Sequence, residues 1–120
     1  MDLVEPIPEH LDGPLRQELR PGELPLVLLV ADIASDGQFA ESVLTVTDER
    51  LLILHANGAA SPRVESISID RILRVQTRNH VGNGTLVAEL DDGPRELVRF
   101  SQGAYFKFSS VPQAVEAILT

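Results

Sequence analysis

The chain reads as a small, mainly β domain: a seven-stranded antiparallel sandwich or partly open barrel, closed at its end by an α-helix. Two observations predict this. About seven short apolar runs follow one another from Leu24, each broken from the next by turn residues, and a single amphipathic helix comes only at the end. A third bounds the size: 120 residues with 43% hydrophobic content supply one core and one domain.

Residues 1–23 form an acidic arm holding Pro6, Pro8, Pro14 and Pro21, with room for one short helix around Leu15–Leu19. Leu11, Leu15 and Leu19 recur at i, i+4 and i+8, so one apolar stripe either docks on the domain or leaves a loosely ordered arm. The β domain occupies residues 24–120, and its strands are expected at Leu24–Ile33, Val43–Val46, Leu51–Leu54, Val64–Ile69, Ile72–Thr77, Thr85–Leu90 and Glu96–Phe100. Asp36-Gly37 separates the first two, Asp48-Glu49-Arg50 makes a tight hairpin, Asn57-Gly58 opens a loop through Pro62, and Gly82-Asn83-Gly84 makes a further turn. Leu73, Val75 and Thr77 alternate with Arg74, Gln76 and Arg78, so the fifth strand offers the second set to water.

In the last hairpin, a three-residue loop pairs Leu86 with Phe100 and Ala88 with Val98, and sets Asp91 opposite Arg95. Ser110-Val111-Pro112-Gln113 opens the final helix with an N-cap serine, a first-turn proline and Gln at the capping-box position. Its stripe is Val111, Val115 and Ile118, with Leu119 beside it. A helical turn over Gly103–Ser109 precedes it. That turn and Phe100 hold four of the five aromatics, a plug for one end of the sandwich.

Composition narrows the functions. Cysteine is absent, which excludes disulfides and thiolate zinc sites and fits a reducing compartment. Leu26–Ala31 is the most apolar run and falls far short of the roughly 20 residues that span a bilayer. The start, Met1-Asp2-Leu3-Val4-Glu5, lacks the basic stretch of a signal peptide, so a cytoplasmic location is expected. The first fifty residues carry eleven acids against three arginines, which is the whole of the net −8. That asymmetry disfavours nucleic acid and anionic membrane as direct partners.

Candidate chemistry is sparse, and no catalytic residue, cofactor or metal is expected. His10, His55 and His80 are scattered, and metal binding needs convergent ligands. Asp32, Asp36 and Glu41 lack EF-hand spacing, and the Gly82-Asn83-Gly84 glycines precede no helix that would hold a phosphate. An enzyme would need two or more of His55, His80, Asp32 and Glu41 to converge in a cleft. Arg63, Arg71, Arg74 and Arg78 are the one basic concentration, and within it Arg74 and Arg78 read as an exposed strand face pairing with acids, such as those of the arm. Arg74, Gln76 and Arg78 are the candidate interaction surface.

The element order resembles the bacterial pleckstrin-homology-like superfold, which has seven antiparallel strands in two roughly orthogonal sheets and a C-terminal helix. The stretch Leu44-Thr45-Val46-Thr47-Asp48-Glu49-Arg50-Leu51-Leu52 is similar to that group's L-x-x-T-x-x-R-L-L hairpin. Glu65-Ser66-Ile67-Ser68-Ile69-Asp70-Arg71-Ile72 is similar to its I-P-L-D-x-I segment, with Ser68 in place of proline. Phosphoinositide binding in that fold wants bases between the first two strands, where Ala34–Glu41 holds only acids. Pro21-Gly22-Glu23, the hairpin and Phe100-Ser101…Phe108 further resemble amino-terminal extensions of exporter-type ABC transporters. The resemblance implies a non-catalytic regulatory module that contacts protein, in cis or by self-association, on the cytosolic side of a membrane-transport protein. The alternative is a free-standing domain that binds a small ligand or lipid.

Overall fold

The computed structural model describes residues 3–33, 39–56 and 63–119. Its strands are β1 (Val27–Ile33), β2 (Phe39–Val46), β3 (Arg50–His55), β4 (Arg63–Ser68), β5 (Ile72–His80), β6 (Asn83–Leu90) and β7 (Gly93–Ser101). All pair antiparallel, in the order β4-β3-β2-β1-β7-β6-β5. Three helices accompany them: α1 (Glu9–Glu18), α2 (Tyr105–Phe108) and α3 (Val111–Leu119). The mainly β class with a closing helix is as expected. The expected turns at Asp36-Gly37 and from Asn57-Gly58 to Pro62 lie outside the described residues.

Two meanders, β1–β4 and β5–β7, meet where β1 runs beside β7, with Ile33 registered opposite Arg99. Nearer its start, β1 pairs with β2 on one side, from Val27↔Val46 to Ala31↔Ser42. Its other edge takes the arm. Val4 bridges Leu28 in parallel, the Leu28 N–H donates to Leu3 O (2.7 Å), and the Glu5 N–H donates to Leu28 O (2.9 Å). Glu5 then accepts from the Val30 N–H and, at 2.8 Å, from Lys107 Nζ on α2.

The meanders enclose one core. Val27, Leu29, Leu44, Leu51 and Ile53 face Leu86, Ala88, Val98 and Phe100, and α2 and α3 add Phe108, Val111 and Val115. Phe100 and Phe108 stack with ring centroids 4.5 Å apart and Tyr105 packs against Phe100, so three of the four expected aromatics form the plug, while Phe106 stays outside it. A second cluster lies on the other side of the first meander, where Leu11 and Leu15 of α1 cover Leu28, Val43, Leu52 and Leu54. β3 is therefore buried on both faces, which is why its apolar run is unbroken rather than alternating. The arm docks. Its helix begins six residues earlier than expected and carries Pro14 inside it. A proline there removes one helical hydrogen bond, and burial of Leu11 and Leu15, about 2 kcal/mol each, offsets the loss.

Leu44, Thr47, Arg50, Leu51 and Leu52 of the β2–β3 hairpin each have a task. Leu44 and Leu51 enter the core, and Leu52 lies under α1. Thr47 Oγ1 accepts from the backbone N–H of Glu49 (3.1 Å) and of Arg50 (3.2 Å), which holds the turn. Arg50 meets Glu23 bidentately, Nε to Oε2 at 3.0 Å and Nη2 to Oε1 at 2.9 Å. Glu23 also accepts from Thr47 Oγ1 and the Arg20 N–H, and Arg50 donates to Glu18 O. Both side chains are buried, and the Arg50 guanidinium holds the Glu23 carboxyl down at about 2, against an ordinary 4.5.

Two register expectations are corrected. In the last hairpin the turn has two residues, Asp91-Asp92, and Leu90 pairs with Gly93. A bulge at Leu97 then shifts the ladder, so Leu86 pairs with Val98, Ala88 with Arg95 and Phe100 with Gly84. The bulge buries Leu97 and Val98 together. Glycine is needed opposite Phe100, because a Cβ there would lie 2.6 Å from the ring. The β5–β6 turn is Val81-Gly82, with Gly82 at φ +81°, and Asn83 and Gly84 already belong to β6.

Candidate interaction surface

β5 is an end strand of the sheet, and β6 is its only partner among the described strands. A bulge interrupts that pairing: Ile72 lies opposite Leu90 and Arg74 opposite Glu89, which leaves Leu73 as the extra residue. Ile72 and Val75 remain buried, while Leu73 is 65% exposed. The alternation expected from sequence put Leu73 with Val75; the bulge breaks that parity and turns the leucine out. A hollow of about 480 Å³ lies beside it, between β5 and α3, lined by Leu73, Val75, Pro112, Gln113, Glu116 and Leu119.

Of the expected surface, Arg74 is committed. Its Nε and Nη2 both reach the Glu89 carboxylate on β6 at 2.9 Å, and this pairing holds Glu89 below its usual carboxylate range. The acid thus comes from the neighbouring strand rather than from the arm. Arg71 does likewise with Asp91 and Asp92. Gln76 is half-buried, and Arg78 is exposed with no ion pair to a described residue. Arg74, Gln76 and Arg78 lie along one end strand, as the sequence placed them, and Leu73 joins them through the bulge.

Of the other singled-out residues, His55 and His80 line different hollows from each other and from Asp32 and Glu41. His80 closes β5, where Nε2 meets Thr85 Oγ1 at 3.2 Å, and His10 lies 3.6 Å from Glu41. Asp32 and Glu41 do line one open hollow of about 390 Å³ with Glu5 and Lys107. Each is otherwise engaged: Asp32 accepts from the Ser101 N–H at 2.8 Å, and Glu41 faces His10.

His55 sits in a chain that sequence did not reveal. Ser42 Oγ lies 3.3 Å from its Nδ1, and Glu65 Oε1 lies 3.1 Å from its Nε2. Burial and the nearby Arg63 push the histidine below its ordinary 6.5, against the pull of Glu65. The order resembles a hydrolytic relay. The adjacent hollow is only about 20 Å³, room for one water and not for a substrate carbonyl. Ser42 is itself buried. The cluster ties β2, β3 and β4 together, because Ser42 pairs with His55 and His55 with Arg63 in the ladders.

Among the described residues no group of three or more His, Asp or Glu is placed to hold a metal ion. No helix among them is long and apolar enough to cross a membrane. Comparison with family models, with curated proteins and with solved structures returns no match.

Proposed function

We propose that this domain is a non-catalytic interaction module on the cytosolic side of a larger bacterial membrane-transport protein of the ABC-exporter type. It holds a protein partner along β5. The observation that carries the reading is the bulged Leu73, an exposed leucine on an end strand beside a hollow whose lining mixes Val75, Pro112 and Leu119 with Arg74, Gln113 and Glu116. An end strand carries backbone groups that a further strand satisfies, and side-chain pockets beside it supply selectivity. The bulge and the arginines narrow the choice of partner. A fitting segment is extended, places an apolar side chain against Leu73 and Leu119, and carries an acid opposite Arg78.

The transporter context rests on the resemblance of Pro21-Gly22-Glu23, the hairpin and Phe100-Ser101…Phe108 to amino-terminal extensions of exporter-type ABC transporters. Glu23 of Pro21-Gly22-Glu23 and the Thr47 and Arg50 of the hairpin are one buried network. Amide hydrogen exchange tests the reading, comparing the isolated chain with the same chain in its cell-derived assembly. Protection gained over Leu73–Arg78 is the expected result, and unchanged exchange there overturns it. An Asp at Leu73 removes the gain while shifting the melting temperature by about 2 °C or less, since the side chain is exposed.

A further inference from the structure

A second hollow, of about 460 Å³, lies at the far end of β5, away from Leu73. The tip of the β5–β6 hairpin supplies Asn79, His80 and Asn83, the turn after β7 supplies Gln102, and α2 supplies Tyr105 and Phe106. Its volume is in the range of small-molecule sites. No carboxylate, lysine or arginine is among the described residues that line it, and the His80 imidazole is its one titratable nitrogen group. The carboxamides of Asn79, Asn83 and Gln102 each offer a donor pair beside an acceptor, and none bonds to a described side chain. Two aromatic rings complete the wall.

Those rings are differently placed. Tyr105 packs against Phe100 with centroids 5.9 Å apart and is half-buried. Phe106, the next residue, is 73% exposed, and the Ser109 hydroxyl donates to its carbonyl at 2.7 Å. A phenylalanine in the open beside a concave polar wall is one whose ring is not used by the core, whereas Phe100 and Phe108 are wholly buried. Carboxamides that pair with adjacent hydroxyls, and a flat ring that takes a C–H face, suit a polyhydroxylated ring.

We infer that this hollow binds a neutral saccharide of one or two rings, with Asn79, Asn83 and Gln102 bonding its hydroxyls and Phe106 lying against its apolar face. The site adjoins the β5–α3 hollow at Ser109, which lines both, but shares no other lining residue with it, and it stands or falls independently of the transporter reading. An anionic ligand is disfavoured, because among the described lining residues His80 is the one base, with neither lysine nor arginine beside it to hold a full negative charge.

The test is NMR titration of the full 120-residue chain with glucose, galactose, maltose and lactose, each taken to about 20 mM, with glucose 6-phosphate in parallel. The expected result is saturable shifts, for at least one neutral sugar, confined to the Asn79, Asn83 and Gln102 carboxamides and the Tyr105 and Phe106 rings. Phe106→Ala and Asn79→Ala each weaken that binding about tenfold or more. Both positions are exposed, so both variants retain the fold. No saturable shift with any of the four sugars overturns the inference. So does tighter binding of the phosphorylated sugar, or binding that survives both substitutions.

Discussion

At the scale of single residues, the buried pair Glu23–Arg50 has the most direct consequences. Removing one partner leaves the other charge buried and alone, so Glu23→Gln and Arg50→Met each cost about 3 kcal/mol, read from urea unfolding. The pair also sets an acid limit. The folded carboxyl, near 2, binds its proton more weakly than an unfolded one near 4.5. Its stabilisation is therefore complete above pH 4.5 and is lost as pH falls from there towards 2. Stability measured from pH 6 to 2 drops through that window in the native chain and more gently in Glu23→Gln. Gly84 gives a second expectation. Its Cβ would meet Phe100 at 2.6 Å, so Gly84→Ala costs about 1–3 kcal/mol, and shortening the ring with Phe100→Leu recovers part of that in the double variant. The Thr47 turn and the aromatic plug were legible in the sequence because both are local. The Arg50 partner was not, since nothing within the hairpin names Glu23, 27 positions away.

At the scale of elements, strand type and order followed from the apolar runs and their turns, but parity failed wherever a bulge intervened. Leu73 and Leu97 are each the extra residue of their ladder, and period-2 reading passes through both without a mark. The loop of the last hairpin went with it, because pairing Leu86 with Phe100 looked best while the need for a glycine under the ring was hidden. The arm was half visible. Its Leu11 and Leu15 stripe was there to read, whereas the helix around Pro14 and the parallel bridge at Val4 arise only from docking. A clue lay elsewhere, in the unbroken run Leu51–Leu54, which needs a cover on both faces. Replacing Leu15 with Ala accordingly destabilises the chain by about 2–5 kcal/mol, and Leu19→Ala, at a less buried position, costs less. Equal losses in thermal melts of the two variants would show that α1 does not cover β3 in this way.

At the scale of the whole molecule, two meanders share a core but join along one edge through β1 and β7, with the arm filling the edge of β1 and α3 lying beside β5. This leaves β5, with its bulged leucine, as an end strand with exposed side chains that the fold does not use. The acid excess lies in the first fifty residues, and no sizeable basic field balances it. Co-sedimentation with anionic vesicles at physiological salt is expected to leave the chain in the supernatant, and pelleting would overturn the expectation that the domain does not bind membrane directly. The central claim is that a protein strand occupies β5. A photoreactive phenylalanine analogue at Gln76 in cells, with one at exposed Asp92 as control, tests it most directly. The account predicts cross-linked peptides from a membrane-transport polypeptide at Gln76, lost when Leu73 is also changed to Asp and absent from Asp92. Equal yields from the two positions, or adducts to lipid alone, would contradict it.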